Sequence, residues 1–375
     1  MTRLSRTQAV VATFLVATTV ASCSGKQHST SSPSSPPSKS VASPSIKGIA
    51  QITLGQNVGP AAVSSDAVVF PTGTAAGAWN RVDSVPLTGG SAKTVARSQF
   101  PDGFINWVAA SPDGWIYYVD QSAKQSDSNP RVLWRVVAVD PSSGDTRTLA
   151  SNGDTPDPYV PIVRSQDGWA FWTSAETDKR AREQMWEPGW NKPKDVFRHV
   201  EMTPGSESLN GDSLVYLGKA STGATGHTIG GDCWSVPLDG GTPQPLTHTA
   251  LAMSCGASGD WVVWTQHIGP NDPVPTDDGV LDDPYALWAA NGSQAPKQLH
   301  RGYFSSARPY VAGSIVVWSA QDGQRNIQSL VGSNATTTVP GHSAILPAVG
   351  NGKIVVMTSA RGKKTVAGVV AVPAG

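Results

Sequence analysis

A short apolar phrase that occurs seven times predicts an all-β fold, a seven-bladed β-propeller. The last residue of the phrase recurs at intervals of 39 to 54 residues, about 48 on average. Sheets repeated at such a period bury their apolar faces only when neighbouring copies stack on them. The 38 Gly and 29 Pro among 375 residues suit many short strands joined by turns, and long helical patterns are absent. The phrases end at Phe70, Tyr118, Trp172, Tyr216, Trp264, Trp318 and Met357.

Each repeat contains four strand-like stretches, which is the content of one propeller blade. The apolar phrase follows a Gly or Asp turn and forms strand B, and the stretch before that turn forms strand A. Strand C carries a tryptophan in four repeats, and a short strand D follows it. The equivalent places of these tryptophans predict packing between blades. They are Trp134, Trp186, Trp234 and Trp288.

The last repeat ends with a third strand at 365–372 and has no fourth strand behind it. A strand-like stretch at 49–55 precedes the first strand A and can supply the missing strand D. Pairing of N- and C-terminal strands would also remove open sheet edges. The sequence therefore predicts seven blades closed in this way. Six or eight blades are the alternatives, because the strand patterns of the third repeat are weak.

The first 22 residues have the features of a secretory signal peptide. Arg3 and Arg6 precede an uncharged apolar run that is shorter than the ~20 residues of a membrane-spanning helix. The run ends in "VASC" at 20–23, which resembles the lipobox of bacterial lipoproteins. That resemblance implies cleavage before Cys23 and two acyl chains on it, which together give a durable membrane anchor. The alternative is an ordinary secreted protein in which Cys23 is incidental.

Residues 23–47 are expected to be a disordered tether between the lipidated cysteine and the propeller domain at 48–375. They are mostly Ser, Pro, Lys and Thr and contain little that can pack. The 28 basic and 28 acidic residues balance, so charge favours neither nucleic acid nor a polybasic contact with a membrane. We therefore expect an extracytoplasmic protein held at the cell membrane by its lipid, with no nucleic-acid partner.

Two cysteines remain in the expected propeller domain, Cys233 and Cys255. Export places them in an oxidising compartment, so they are a candidate disulfide. The bond would fasten strand C of the fourth blade to strand A of the fifth. Two buried free thiols are the alternative.

The repeats contain four short turn motifs: "SPDG" at 111–114, "SQDG" at 165–168, "LDGG" at 238–241 and "PLTH" at 245–248. These motifs resemble those of TolB-type propellers in bacterial envelope proteins. The resemblance extends over residues 48–375 and implies the propeller fold. Because such motifs occur in propellers of unrelated function, they imply no particular activity.

Four long connections between strands B and C are expected on one face of the disc, over blades 2 to 5. Loops displayed on a rigid scaffold are where function is usually placed, so we expect this face to bind the partner. Tolerated variation in loop length is the alternative. The connections are 121–130, 174–184, 220–232 and 266–284.

Two of these connections carry charged binding candidates. The third-blade loop contains Lys179, Arg180 and Arg182, which could recognise an anionic partner from a short helix or form a solvated turn. The loop at 266–284 could hold calcium through several carboxylates, but its lack of a regular ligand spacing favours a solvated acidic loop. Its aspartates are Asp272, Asp277, Asp278, Asp282 and Asp283.

His248, His300 and His342 lie at or just past the ends of D strands and are candidate metal ligands. Some propeller lyases that resemble this architecture bind a divalent metal with histidines in the central funnel, and imidazole suits transition metals. The alternative is that these residues cap turns and that no cofactor is needed. Separately, Trp79 and Trp190 lie in loops and could stack on a sugar.

The sequence favours a monomeric, non-catalytic binding or scaffold module whose partner is an envelope protein or glycan. It contains no G-x-S-x-G elbow, P-loop, dinucleotide fingerprint or H-E-x-x-H pair. A propeller enzyme can assemble its site from scattered loops, so a metal-dependent lyase or hydrolase acting on envelope glycans stays open. A sensor domain of an envelope complex is a further alternative.

Overall fold

The computed structural model describes residues 50–74, 78–126, 130–166, 168–177, 180–200, 202, 207–218, 221–222, 228–268, 284–292, 294–303, 306–319, 325–330, 336–339, 348–350, 353–358 and 365–371. The expected signal peptide at 1–22, Cys23 and the expected tether at 23–47 lie outside these ranges. Every regular secondary-structure element within these ranges is a β-strand. No helix in this part of the chain could span a membrane.

The described residues form thirty strands. The first thirteen are β1 (Ala50–Gly55), β2 (Ala62–Val63), β3 (Ala67–Thr72), β4 (Arg81–Pro86), β5 (Lys93–Arg97), β6 (Phe104–Ala110), β7 (Ile116–Gln121), β8 (Trp134–Val139), β9 (Thr146–Ser151), β10 (Ile162–Gln166), β11 (Trp169–Thr177), β12 (Arg180–Trp186) and β13 (Lys194–Val200). The others are β14 (Ser208–Asn210), β15 (Ser213–Leu217), β16 (Ser221–Thr222), β17 (Thr228–Gly230), β18 (Cys233–Pro237), β19 (Gln244–Pro245), β20 (Ala252–Ser258), β21 (Trp261–His267), β22 (Pro284–Asn291), β23 (Lys297–Tyr303), β24 (Ser306–Ala312), β25 (Ile315–Ser319), β26 (Arg325–Ser329), β27 (Thr336–Val339), β28 (Ala348–Gly350), β29 (Lys353–Thr358) and β30 (Thr365–Ala371).

These strands make seven four-stranded antiparallel sheets in the described ranges, together with a two-stranded hairpin of β16 and β17. In chain order, sheet 1 is β2 to β5, sheet 2 is β6 to β9 and sheet 3 is β10 to β13. Sheet 4 contains β14, β15, β18 and β19, sheet 5 is β20 to β23, and sheet 6 is β24 to β27. Sheet 7 has the order β28, β29, β30, β1, so its outer strand comes from the beginning of the domain, with Ile52 opposite Ala367.

The sheets follow one another around a ring, with the first strand of each sheet on the inside. Strand β2 contacts β6, β6 contacts β10, β20 contacts β24, β24 contacts β28, and β28 contacts β2. Strand β15 contacts β20, and Gln166 of β10 is hydrogen-bonded to Leu209 of β14, which completes the circuit. The expected all-β propeller is therefore confirmed as the fold class.

Apolar side chains from adjacent sheets form the core. Between sheets 2 and 3, Tyr117 and Val119 pack with Trp172 and Trp186, and all four are fully buried. Each fully buried large apolar side chain contributes about 1.5–3 kcal/mol. The repeat-equivalent Trp134 is also buried in this cluster, while Trp234 and Trp288 are half-buried against the next two. Stacking between sheets, which the repeated tryptophans predict, supplies the core.

The glycines that open the repeated phrase have a conformational role. Gly259 and Gly313 lie in the turns between the first and second strands of sheets 5 and 6, with φ of 58° and 49°. Side chains are disfavoured at such positive φ values, and glycine is not. The repeated glycine therefore marks the tight turn from strand A to strand B.

The connection expected at 174–184 is instead mostly strand, so the loop or short helix predicted there is wrong. Strands β11 and β12 continue through it, with Ser174 opposite Arg182. Arg182 donates from Nε to Oδ1 of Asp195 in β13 at 2.6 Å, which holds its charge against the sheet. Arg180 begins β12, and Lys179 lies outside the described residues. The charged residues of this stretch suggested an exposed loop, but the stretch is a hairpin in which Glu183 is buried.

The other long connections are only partly described. Hairpin β16–β17 occupies part of the connection at 220–232. The acidic connection runs through 269–283, which lies outside the described residues together with its five aspartates. Those aspartates are Asp272, Asp277, Asp278, Asp282 and Asp283.

A disulfide joins Cys233 of β18 to Cys255 of β20, with 5.9 Å between the two Cα atoms. Both residues are fully buried between sheets 4 and 5. The predicted bond is therefore present, and it fastens two neighbouring sheets across 22 residues of sequence.

Removing this bond should lower the melting temperature by several degrees. Closing a loop of this length stabilises a fold by about 3 kcal/mol, chiefly by restricting the unfolded chain. Melting curves of full-length protein with and without strong reductant measure the effect. A Cys233→Ala/Cys255→Ala variant is the control, since reductant should not change its melting further. Identical curves for the oxidised and reduced wild-type protein would contradict the stabilising role.

Candidate functional site

The inner strands enclose a cavity of about 130 Å³ in the central channel, which we call the channel cavity. Six sheets line it, from sheet 1 to sheet 6. Much of its wall is made of small residues, which leaves room at the axis: Ala61, Ala62, Ala109, Ala110, Gly256 and Ala257.

Three charged side chains line this cavity among the described residues: Arg164 in β10, Glu207 just before β14, and Arg308 in β24. Arg164 Nε donates to Glu207 Oε2 at 3.3 Å, which joins sheets 3 and 4. Sheet 6 is separated from sheet 3 by two sheets on one side and three on the other. Arg308 therefore faces Arg164 across the channel.

The side-chain amide of Gln166 links β10, the strand that carries Arg164, to β14. Its Nε2 donates to the carbonyl oxygen of Leu209 at 2.8 Å, and its Oε1 accepts from the Leu209 amide at 3.1 Å. Residues two apart in a strand point to the same side, so Arg164 and Gln166 both reach toward sheet 4. This pair of hydrogen bonds between inner strands fixes the position of Glu207 relative to Arg164.

A buried hydroxyl connects Glu207 to a second carboxyl group. Thr173 Oγ1 lies 2.6 Å from Glu183 Oε2 and is also hydrogen-bonded to Glu207 Oε1. A threonine hydroxyl has a single proton, so it can donate to only one of these carboxyls. The other carboxyl must itself carry a proton and donate it to Thr173.

The proton resides on Glu183. This residue is fully buried, and loss of hydration raises the pKa of Glu183 well above its usual range, with the charge of Glu207 raising it further. Neutral Glu183 therefore donates to Thr173, and Thr173 donates to ionised Glu207, which also accepts from Arg164. We call this chain of groups the carboxyl relay.

Arg308 stays charged at neutral pH in a poorly hydrated place. Loss of hydration, with a smaller contribution from the charge of Arg164, lowers the pKa of Arg308 to about 10, although Tyr310 and Glu207 oppose the shift. Its guanidinium lies over the Tyr310 ring, 5.3 Å from the centroid. Tyr310 and Ser165 also line the cavity, and their hydroxyl oxygens are buried with no hydrogen-bond partner in the described structure. The lining therefore combines charged, aromatic and hydroxyl-bearing residues.

Two of the candidate histidines, His248 and His300, are not among the residues that line this cavity. His248 is exposed after the outer strand of sheet 4. His300 lies in β23, the outer strand of sheet 5, where its ring is 5.6 Å from that of Trp318 and burial lowers its pKa. His342 lies outside the described residues. Among the described residues, no three His, Cys, Asp or Glu side chains are grouped for a metal ion, and the prediction of a histidine metal site stays a prediction.

The two loop tryptophans pack on protein. Lys194 Nζ lies 3.7 Å from the centroid of the Trp190 ring, and Trp169 meets the same ring edge to face at 5.2 Å. Trp79 stacks on Phe104 with 5.4 Å between centroids. These contacts give both rings a structural role and leave sugar stacking without support.

Arg164, Glu207 and Arg308 are not among the residues predicted from the sequence, which placed the site on the connections between strands B and C. A signal was available: charged residues are costly in an inner strand that neighbouring sheets cover. The stretches "IVRSQ" and "SARPY" each place an arginine in such a strand.

No protein-family model matches the chain, and no curated protein matches it in sequence. Solved structures do match. The β-propeller domain of the trilobed protease from Pyrococcus furiosus is 9% identical, covers 84% of this chain and 95% of that one, and gives a TM-score of 0.57. An oligogalacturonate lyase in complex with manganese is 11% identical, covers 87% and 91%, and gives 0.56. A prolyl endopeptidase is 14% identical, covers 88% of this chain and 49% of its own, and gives 0.55.

All three of these neighbours are enzymes or domains of enzymes that share the propeller architecture. At such low identity the likeness establishes the fold and carries no residue roles.

Replacing Glu183 by Gln should flatten the dependence of stability on pH. Because the folded state holds the Glu183 proton more tightly than the unfolded state, this site stabilises the fold at acidic pH. That contribution is lost as the pH rises from the ordinary glutamate pKa of about 4.3, which applies to the unfolded state, through the raised pKa of the folded state. A neutral amide removes the loss, so Glu183→Gln should fall less in melting temperature between pH 5 and 9.

The matched control is Glu187→Gln, the same change outside the carboxyl relay, whose pH profile should follow that of the wild-type protein. Parallel profiles for the wild-type protein and Glu183→Gln would contradict a protonated Glu183.

Proposed function

We propose that the protein is an extracytoplasmic binding module that takes its ligand in the channel cavity. One observation carries the proposal: three charged side chains line a cavity between inner strands, where burial of charge lowers stability unless the charges are compensated. A cavity with a few convergent polar groups and groups of shifted pKa is the usual form of a ligand site. The expected partner is an envelope glycan or protein.

The location of the protein is part of the proposal. The lipobox at 20–23 and the Ser- and Pro-rich stretch at 23–47 support a propeller tethered outside the cytoplasmic membrane through acylated Cys23. The motifs that resemble TolB-type propellers agree with an envelope role. In this arrangement the propeller is monomeric and reaches its ligand at the end of a flexible linker.

Cys23→Ser should move the protein from the membrane fraction to the soluble fraction, because it removes the sulfur that would be acylated. Cell fractionation and immunoblotting measure the change, and Ser24→Ala is the neighbouring control that should stay with the membrane. Membrane association of Cys23→Ser equal to that of the wild-type protein would refute the lipid anchor.

A second candidate is an enzyme that cleaves envelope glycans by elimination or hydrolysis. The carboxyl relay favours it, because an ionised carboxylate beside two arginines can accept a proton from a bound substrate. The fold shared with an oligogalacturonate lyase and two peptidases also supports an enzyme. In this candidate Glu207 is the base. The third alternative, a sensor domain, would use the same cavity, and no described residue favours it separately.

Filling the channel cavity should abolish ligand retention. Ser208 lines the cavity, and Ser208→Phe would occupy much of its volume. In equilibrium dialysis with soluble envelope glycan fragments, full-length wild-type protein should retain a subset that Ser208→Phe does not. Ser213→Phe, in the next strand of sheet 4 and outside the cavity lining, is the control. Equal retention by all three proteins would refute a ligand site in the channel.

Product analysis of the same incubation separates binding from catalysis. Unchanged fragments support the binding module. Shortened or unsaturated fragments that disappear with Glu207→Gln, while retention persists, would favour the enzyme instead.

A further inference from the structure

We infer that the carboxyl relay is a pH-sensitive switch: loss of the Glu183 proton turns the Thr173 hydroxyl from Glu207 to Glu183 and frees the Glu207 carboxylate at the wall of the channel cavity. This inference names the regulation of the proposed site, so its effect on a ligand rests on the proposed function. It follows from the number of protons in the relay, the burial of its members and the hydrogen-bond partners of Glu183.

One hydroxyl group serves two carboxyl groups that come from neighbouring sheets. Thr173 of β11 and Glu183 of β12 are paired across sheet 3, whereas Glu207 precedes β14 of sheet 4. Thr173 Oγ1 is hydrogen-bonded to Glu183 Oε2 at 2.6 Å and to Glu207 Oε1. The exposed fractions of Thr173, Glu183 and Glu207 are 2%, 0% and 1%, so bulk water does not replace a lost bond.

The described arrangement is the state in which Glu183 carries its proton. Glu183 then donates to Thr173, and Thr173 donates to Glu207, so both hydrogen bonds of the threonine hydroxyl are made. Arg164 Nε donates to the other oxygen of Glu207 at 3.3 Å. In this state sheet 3 therefore holds Glu207 by both of its carboxylate oxygens.

Loss of the proton leaves one hydroxyl donor for two carboxylates. Glu183 Oε2 bonds to Thr173, and Glu183 Oε1 is buried with no hydrogen-bond partner in the described structure. Glu207 keeps the guanidinium of Arg164 as a donor. A buried carboxylate with no donor is far less stable than one with a charge-assisted hydrogen bond, so Thr173 then donates to Glu183. Glu207 loses its bond to Thr173.

The charges around the relay favour the same movement. Loss of hydration raises the pKa of Glu183 most, and the charge of Glu207 raises it further. The bond from Thr173 and the charge of Arg164 oppose this shift. Once Glu183 is ionised, the two carboxylates repel each other in a poorly hydrated place, where charges interact more strongly than in water. The charge of Arg308, on another wall of the cavity, attracts the freed Glu207.

The other described groups packed around Glu183 do not titrate with it. In β13, Phe197 lies opposite Glu183, and its ring packs against that of Tyr216 in β15. Burial raises the pKa of Tyr216 to about 12, so its phenol stays neutral at physiological pH. Arg182, the residue before Glu183, pairs with Asp195 in β13. The response of this wall to pH is therefore assigned to Glu183.

The switch connects a buried proton to a residue that a ligand would meet. Glu207 lines the channel cavity, whereas neither Thr173 nor Glu183 does. The described shape of the cavity belongs to the state in which sheet 3 holds Glu207. We therefore expect the cavity to retain its ligand while Glu183 is protonated and to release it as rising pH frees Glu207.

Carbon-13 NMR of full-length protein labelled at the glutamate carboxyl carbons tests the switch without a ligand. The chain contains five glutamates, so Glu183→Gln and Glu207→Gln assign the two signals of the relay. Between pH 5 and 9 the Glu183 signal should shift as its proton leaves, and the Glu207 signal should shift at the same midpoint. Glu183→Gln is neutral and can still donate to Thr173, so it should abolish the shift of Glu207. Glu187→Gln, outside the relay, should leave both shifts unchanged.

Two substitutions of Thr173 separate movement of its hydrogen bond from repulsion alone. Thr173→Ser keeps the hydroxyl and should keep the shift of Glu207. Thr173→Val has a similar shape but no hydroxyl, so it should lose most of that shift while Glu183 still titrates. Glu183→Gln keeps the switch testable even if Thr173→Val does not fold.

Equilibrium dialysis with soluble envelope glycan fragments at pH 5, 7 and 9 measures the effect on the site. Wild-type protein and Glu187→Gln should lose retained fragments as the pH rises. Glu183→Gln should retain the same amount at all three pH values.

A Glu207 signal that does not follow Glu183, or that shifts equally in Thr173→Val, would overturn the switch. Coupled signals together with retention that does not change with pH would overturn its role at the site. If the signals are coupled and the wild-type protein retains no fragment at any pH, the switch stands and the proposed function fails.

Discussion

The structure depends on apolar contact between neighbouring sheets. A four-stranded sheet with apolar residues on both faces, such as sheet 2 with Tyr117 on one face and Tyr118 on the other, is stable in water only when another sheet covers each face. Repetition of the same solution closes a ring, because every sheet needs two neighbours. Strand β1, from the other end of the domain, pairs with β30 and covers the edge that β30 would otherwise leave open in sheet 7.

The ring has a chemical consequence at its axis. It brings the inner strands together, and at that point Arg164, Glu207 and Arg308 share one small space. Charges in such a place need compensation, and the structure provides it through an ion pair, a threonine bridge and a proton on Glu183. The same arrangement leaves a cavity lined by charged side chains at the axis, which is why we place the function there and not on the outer loops.

Similarity of fold does not decide between binding and catalysis. The protease domain, the lyase and the endopeptidase share the architecture at 9–14% identity, which preserves the packing of sheets and not the residues of a site. The distinction rests on what Glu207 does. If its carboxylate only compensates the arginines, the cavity binds, and if it takes a proton from the ligand, the cavity reacts.

The sequence alone determined the propeller class and the order of strands in a repeat, because turn glycines and apolar periodicity are local signals. It also determined the Cys233–Cys255 pair, because the expected propeller domain contains only these two cysteines. It did not determine the channel site. Arg164 and Arg308 are more than a hundred residues apart, and their meeting depends on the geometry of the ring. It also misassigned the hairpin at 174–184, since only tertiary packing shows that Glu183 points inward beside Glu207 while Arg182 pairs with Asp195 on the surface.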